Sequence, residues 1–433
     1  MSNTKAFRAS ILHFTADPAF SDKAHSWHED GLLIVDGGRV QAAGDYIQLK
    51  DSLPPGTQVR DYRGKIIMPG FIDTHIHYPQ TDMIASPAPG LLPWLDTYTF
   101  PTERQFENPE HARGVADFFV KELLRCGTTT AMVFCTVHQE SVDAFFGAAE
   151  AHNLRMAAGK VMMDRHCPDF LQDSAIRGAR ESEELIHRWH NKGRNMYALT
   201  PRFAPTSTEA QLAMCGELAR AYPDTYVQTH VAENTDEVAW VKDLFPDARS
   251  YLDVYDQFGL LRQRSMYAHC IWLDDEDRAR MAATGAAVSM CATSNLFLGS
   301  GLFDFAAADR QKVALSLATD VGGGTSFSML QTMNETYKVA RMGGTYLPAL
   351  RMFYMATLGG ARSMQLEGTV GNFVTGAEAD FIVVDPTATP LLERRTARCN
   401  SLEELLFAVA LLGDDRAIAA TYAAGKQVHQ RGE

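Results

Sequence analysis

Five side chains in this sequence combine metal-donor chemistry with a place at the end of an apolar, strand-like stretch: His75, His77, His230, His269 and Asp320. The first two form the only His-x-His of the chain, in Pro69-Gly-Phe-Ile-Asp-Thr-His-Ile-His77, directly after Lys65-Ile-Ile-Met68. Residues i and i+2 of a strand point to the same face, so both imidazoles can reach one point. Two neutral imidazoles meeting at a strand end are half of a zinc site. His230 closes Tyr226-Val-Gln-Thr-His230, His269 closes Met266-Tyr-Ala-His269, and Asp320 closes Ala314-Leu-Ser-Leu-Ala-Thr-Asp320. Three nitrogen ligands, one carboxylate and a water would make a mononuclear catalytic site with an open position. A single His or Asp after a strand reads equally well as a hydrogen-bonded loop residue. The weight lies in finding such groups repeatedly at the same end of different strands.

Glu233 follows His230 by three residues, in His-Val-Ala-Glu. A carboxylate so close to a ligand can reach a metal-activated water without binding the metal, which suits a general acid/base. The same residue opens a helical pattern, where the macrodipole favours a carboxylate, and the two roles are compatible.

The elements that must position these groups alternate. Strand patterns cover 128–134, 155–163, 196–201, 225–230, 265–269, 286–290 and 313–320, and helical patterns cover 111–125, 207–221, 233–244, 275–284 and 326–341. With the strand before His75 the count is eight, each followed by helix or loop. That rhythm predicts an α/β fold, a (β/α)8 TIM-type barrel with its chemistry at the strand C-terminal ends. The flanks read as β structure: Gly31-Leu-Leu-Ile-Val-Asp-Gly-Gly-Arg-Val40 is a hairpin signal. Residues 379–385 and 418–428 answer it, the latter with a Gly-Lys turn. The expected organisation is a small β-sandwich domain built from both termini, residues 1–67 and 369–433, around a catalytic barrel of residues 68–368.

Bulk properties fit this and exclude other classes. A chain of 433 residues with 46% hydrophobic and 21% charged residues has ample material for a core. The net charge of −13 argues against sequence-independent binding to nucleic acid or an anionic membrane. The longest fully apolar run, Leu405 to Leu412, is too short to span a bilayer, and residues 1–8 carry no apolar segment of a secretion signal. Seven scattered cysteines without a C-x-x-C fit a reducing, cytoplasmic setting.

The Pro-Gly-Phe-Ile-Asp-Thr-His-Ile-His opening, the His230–Glu233 pair, His269 and Asp320, with a split β domain around them, resemble the amidohydrolase superfamily over nearly the whole chain. Within it, Thr74-His-Ile-His-Tyr-Pro-Gln80, Thr200-Pro-Arg-Phe-Ala-Pro205 and His230-Val-Ala-Glu-Asn234 are similar to the guanine deaminase branch. The resemblance implies one Zn2+ held by His75, His77, His230 and Asp320, with His269 beside the metal and hydrogen-bonding substrate or water. It implies Glu233 as proton shuttle, Asp320 as an aid in deprotonating the water that attacks C2, and a purine recognised by Gln80, Arg202 and Phe203. Trp94 is a further candidate wall of that pocket. A homodimer active in purine catabolism is part of the same expectation. Relatives with two metals carry a bridging lysine after the fourth strand; Met196-Tyr-Ala-Leu-Thr-Pro-Arg202 has none, so one metal is expected.

Other features carry less. His187-Arg-Trp-His190 has helical spacing but sits beside Glu181-Ser-Glu-Glu184, a solvated helix face. Gly322-Gly-Gly324 lacks Walker or Rossmann spacing and reads as backbone passing close to the site. Met329, Met333 and Met342 read as core or interface packing. The chain has no Gly-x-Ser-x-Gly, no His-Glu-x-x-His and no Pro-Cys-x-x-Cys, which removes the hydrolase-elbow, zincin and cytidine-deaminase signatures. Two alternatives stay open: the same barrel acting on 8-oxoguanine, another aminopurine or a chlorinated triazine, and a non-catalytic scaffold that kept the fold.

Overall fold

The computed structural model describes residues 4–432; residues 1–3 and 433, which include the start of the stretch read for a secretion signal, lie outside it. Four strands open the chain: β1 (Lys5–Phe14), β2 (His25–Asp36), β3 (Arg39–Asp45) and β4 (Val59–Pro69). A parallel series follows, β5 (Phe71–His77), β6 (Thr128–Phe134), β7 (Arg155–Gly159), the two-residue β8 (Val161–Met162) and β9 (Met196–Pro201). It continues with β10 (Tyr226–Val231), β11 (Ser265–His269), β12 (Ala287–Met290) and β13 (Ala314–Leu317). The chain ends on β14 (Phe381–Val384), β15 (Ile418–Ala423) and β16 (Lys426–Gln430).

The parallel strands pair in chain order from β5 to β13, with β8 added beside β9. The ring closes where His77 N donates to Val321 O at 2.8 Å and Asp320 N donates to His75 O at 2.9 Å. This is the eight-stranded α/β barrel read from the sequence. Its strands are buried on both faces, every residue of β5, β6 and β9 included, so no alternation of buried and exposed positions marks them. The helices between them follow ordinary start signals. The helix Pro109–Arg125 begins two residues before its pattern, with Pro109 in the first turn and the Asn108 side chain accepting from Glu110 N. It buries Ala112, Val115, Ala116, Phe119, Val120 and Leu123, the 3.6-residue stripe that packs on the barrel.

The terminal strands form one seven-stranded sheet in the order β16-β15-β14-β4-β1-β2-β3. The sheet curls around Phe7, Phe381 and Tyr422, until residues 376–379 hydrogen-bond the turn between β2 and β3. Phe381 and Tyr422 stack at 4.3 Å in its centre. That turn uses Gly37 and Gly38 at φ 56 and 81, the paired left-handed geometry that an Asp-Gly-Gly sequence suits. The C-terminal turn falls one residue earlier than expected, on Ala424-Gly425 at φ 44 and 69.

The two parts meet at the N-terminal end of the barrel. There Arg155 and Arg194 converge on Glu378, and Arg194 also pairs with Asp380. With that end sealed, the C-terminal ends of the strands are left for chemistry. No helix of the described residues is long and apolar enough to cross a membrane.

Candidate active site and metal centre

The backbone alone brings the first and last barrel strands together. Because His75 and Asp320 are joined through their main chains, their side chains emerge side by side: His75 Nε2 lies 3.1 Å from Asp320 Oδ1, and His77 Nε2 lies 3.4 Å from the same oxygen. His77 Nε2 is 3.2 Å from His75 Nε2 and 3.2 Å from His230 Nε2. The ligand atoms of His75, His230, His269 and Asp320 all lie within 4.8 Å of one another. Five donors therefore converge, and the shortest spacings single out His75, His77, His230 and Asp320, with His269 slightly behind.

Those spacings fit a metal ion. A tetrahedral zinc with bonds of 2.0–2.1 Å separates neighbouring donors by about 3.3 Å. Acceptor lone pairs crowded so closely repel one another unless a cation lies between them. The protonation states agree. Burial, reinforced by His75, His77 and His269, pushes the His230 imidazole well below its ordinary value, and burial pushes His77 down to about 4. Although burial works to raise Asp320, the adjacent His75 and hydrogen bonds from His75 and His77 hold it well below the carboxylate range. Outer contacts fix ring orientation: His230 Nδ1 lies 2.6 Å from Arg202 O, and His269 Nδ1 lies 2.8 Å from Asn295 Oδ1.

Glu233 sits just outside its helix rather than at its start. The helix Thr235–Leu244 begins two residues later than the pattern suggested, because Asn234 takes the cap and Glu237 completes a capping box. This leaves the Glu233 side chain free to turn inward, 2% exposed, with Oε2 3.3 Å from His269 Nε2. Ser300 Oγ donates to Oε1 at 2.9 Å. Burial pushes the Glu233 carboxyl up to about 8, the charge of Asp320 adding to this and the Ser300 bond opposing it. Glu237, raised to about 7 by burial and by Glu233, accepts from the Tyr251 hydroxyl at 2.6 Å.

A cavity opens beside these donors. The residues expected to recognise a ring system, Gln80, Trp94, Arg202 and Phe203, all line it. Its cover is a run of short helical turns over residues 91–107, in which Leu91, Trp94, Leu95 and Phe100 pack against Phe134, Val161, Phe203 and Leu298. Trp94 is pinned by its indole N–H donating to Ser86 O at 3.0 Å. Gly322, Gly323 and Gly324 pass through the wall: a Cβ on Gly323 would meet Ser294 Oγ at 2.5 Å, and one on Gly324 would meet Thr319 O at 1.7 Å.

Several residues here have no counterpart in the sequence reading. Glu103, from the cover, forms a buried ion pair with Arg202. Ser300, Asn295 and Glu237 support the site as described, and Ser294 lines the cavity with a hydroxyl that finds no partner among the described residues. A usable signal existed for Glu103, since an arginine at a buried strand end demands a counter-charge.

The other histidines and methionines singled out in the sequence lie outside the site. His187 Nε2 is 3.0 Å from the Tyr222 hydroxyl, and His190 accepts from Tyr197 N and contacts Asp224. Met329 and Met333 are buried, whereas Met342 is 76% exposed. The barrel's buried lysine, Lys160, is engaged by Asp173 and Glu181, away from the converging donors.

A closed parallel barrel with a histidine–aspartate donor cluster and a buried carboxylic acid at its C-terminal mouth defines a barrel enzyme of hydrolytic type. The Amidohydrolase family model matches residues 66–428. Guanine deaminase of Escherichia coli (strain K12) is 51% identical over 430 residues, covering 99% of this chain and 98% of that protein. The solved structure of an E. coli guanine deaminase superposes with a TM-score of 0.95 at 49% identity, over 100% of both chains. Guanine deaminase from C. acetobutylicum, solved with guanine bound in its active site, gives a TM-score of 0.87 at 29% identity, over 99% of this chain and 100% of that one. The chain belongs to the amidohydrolase family and, within it, groups with these enzymes.

Proposed function

We propose that this protein hydrolyses guanine to xanthine and ammonia with one zinc ion per subunit. The observation that carries the reading is a single cavity lined by the donors His77, His230, His269 and Asp320 and by Glu233, together with Arg202, Gln80 and Phe203. The 51% identity to the E. coli guanine deaminase, over nearly all of both chains, supports the choice of base.

His75, His77, His230 and Asp320 would hold the metal, with His269 as their neighbour. Zinc, when bound, would supply an activated water nucleophile near neutral pH. The chain's own groups do the rest. C2 of guanine is a poor electrophile because the ring nitrogens feed electrons into it. Glu233 collects the proton released from water and hands it to the adjacent ring nitrogen, which lets C2 accept attack; a second transfer to the amino group lets ammonia leave. The burial that raises Glu233 suits a group that must both take and give a proton. Asp320 assists the first deprotonation, and His269 hydrogen-bonds water or substrate. Arg202 offers fixed donors to ring acceptors, Phe203 an aromatic surface, and Trp94 a further wall. Met196–Pro201 contains no lysine, consistent with one metal. We further assign the protein to a reducing cytoplasm, where its seven free cysteines are stable, and to a homodimer.

The test is turnover of guanine by the zinc-loaded protein, followed by the ultraviolet change to xanthine and by ammonia release. Chelation should abolish it and zinc restore it, and Glu233→Gln should lose it with zinc retained. No turnover of guanine with zinc bound would overturn the substrate assignment.

A further inference from the structure

We infer that Glu103 is a positioning residue that makes the recognition edge of the cavity electrically neutral, so that the site accepts uncharged heterocycles and rejects anionic ones. The inference rests on the purine reading above. Arg202 is 2% exposed and points into the cavity, an arrangement that by itself would attract an anion. Glu103 cancels that charge. Its carboxylate, with no exposed surface, accepts from Arg202 Nη1 at 3.0 and 2.7 Å. Among the described residues, the hydrogen bonds from the Arg202 side chain run from Nη1, which leaves the other guanidinium donors for a ligand.

The same carboxylate sets the polarity of Gln80. Glu103 Oε1 accepts from Gln80 Nε2 at 3.1 Å, while Gln80 Oε1 accepts from Gly322 N at 3.2 Å. Two opposed partners leave the amide no freedom to flip. It therefore offers the cavity one N–H and one oxygen lone pair, a donor and an acceptor side by side, next to the guanidinium. Phe100, on the same cover segment, places its ring centroid 5.5 Å from the guanidinium carbon. A neutral 6-oxopurine, with carbonyl acceptor and ring N–H adjacent, matches that edge; an anion would have no uncompensated cation to meet there.

The experiment compares two purines that share the 6-oxo edge at a single, near-neutral pH: hypoxanthine, which is neutral, and urate, which is an anion and bulkier by two oxygens; the readout is the change in their ratio between variants. Their affinities for the zinc-loaded protein are measured by calorimetry. The native protein should prefer hypoxanthine. Glu103→Gln leaves the Arg202 charge uncancelled beside a bound ring, and should move the urate-to-hypoxanthine ratio toward urate by about ten- to thirtyfold. Glu103→Asp should restore most of the native ratio. Arg202→Met is the mirror image, since it leaves the acid unpaired, and should disfavour urate further; it keeps the test alive if Glu103→Gln does not fold. Loosening of the pocket without a charge effect would weaken both ligands alike and leave the ratio unmoved, which would overturn the inference. So would a native protein that prefers urate, or that binds neither ligand. A shifted ratio in a protein that fails to turn over guanine would sink the substrate reading and leave the role of Glu103 standing.

Discussion

Replacing Ser300 by Ala isolates the support of the proton shuttle from the shuttle itself. Among the described residues, Ser300 Oγ makes the one side-chain hydrogen bond received by Glu233, at 2.9 Å, with both residues at least 97% buried. A hydrogen bond to a charged acceptor contributes about 1.5–3 kcal/mol, which would be ten- to 150-fold if fully expressed in the transition state. Two contacts remain in the variant. Oε2 stays 3.3 Å from His269, and the Glu233 backbone N–H still donates to Glu237 at 3.0 Å. The lower end of the range therefore applies, and kcat should fall about tenfold. KM should stay within about twofold, because Ser300 faces the acid and not the Arg202 side of the cavity. Steady-state ammonia release from guanine, with zinc content measured on the same sample, checks this. Ser300→Thr keeps the hydroxyl and should recover most of the rate. A variant with native kcat but lowered stability would refute the reasoning, since Ser300 would then be a packing residue.

Arg202→Met should lower kcat/KM for guanine by about 1.5–3 kcal/mol and, independently, destabilise the fold by about 3–5 kcal/mol, because Glu103 is left buried without its partner. Denaturant titration beside kinetics separates the two, and unchanged kinetics in the folded variant would remove Arg202 from recognition. Burial, with His28 adding to it, pushes His13 in the terminal sheet down to about 4 from 6.5. The unfolded chain therefore binds a proton that the folded one refuses between those values, so this contribution is complete above about pH 6.5 and is lost as pH falls toward 4, by about 3 kcal/mol in all. Urea unfolding of the native protein and His13→Leu across that window should show a flatter acid limb in the variant; parallel limbs would show that His13 is protonated in the fold.

The barrel was legible because its strands are short, apolar and evenly spaced, and because a period of two puts His75 and His77 on one face whatever surrounds them. Helix boundaries shifted by two or three residues where a cap decided the start, as Asn108 and Asn234 do. The cover over residues 91–107 was not legible. Its turns lack a sustained period, and Glu103 lies in Thr102-Glu103-Arg104, which by composition is a solvated surface helix. Only the approach of β9 from the far side of the barrel mouth turns that glutamate into a buried partner. Ser300, between two glycines, is equally mute in sequence: its role exists only because the loop folds back over Glu233.

The curled terminal sheet has a consequence for the nascent chain. β4 runs through Gly70 straight into the strand carrying His75 and His77, yet its antiparallel neighbour is β14, with Met68 opposite Ile382. At ordinary synthesis rates the partner emerges from the ribosome roughly 15–60 s later, after about 300 further residues. Until then β4 presents an open edge bearing Ile66, Ile67 and Met68, the kind of edge that recruits other chains. A ribosome that stalls late in the message would release a chain with every donor and acid of the candidate site present but this edge still bare. Such fragments should be insoluble rather than partly active, and growth conditions that slow translation should lower the yield of folded protein before they alter its specific activity.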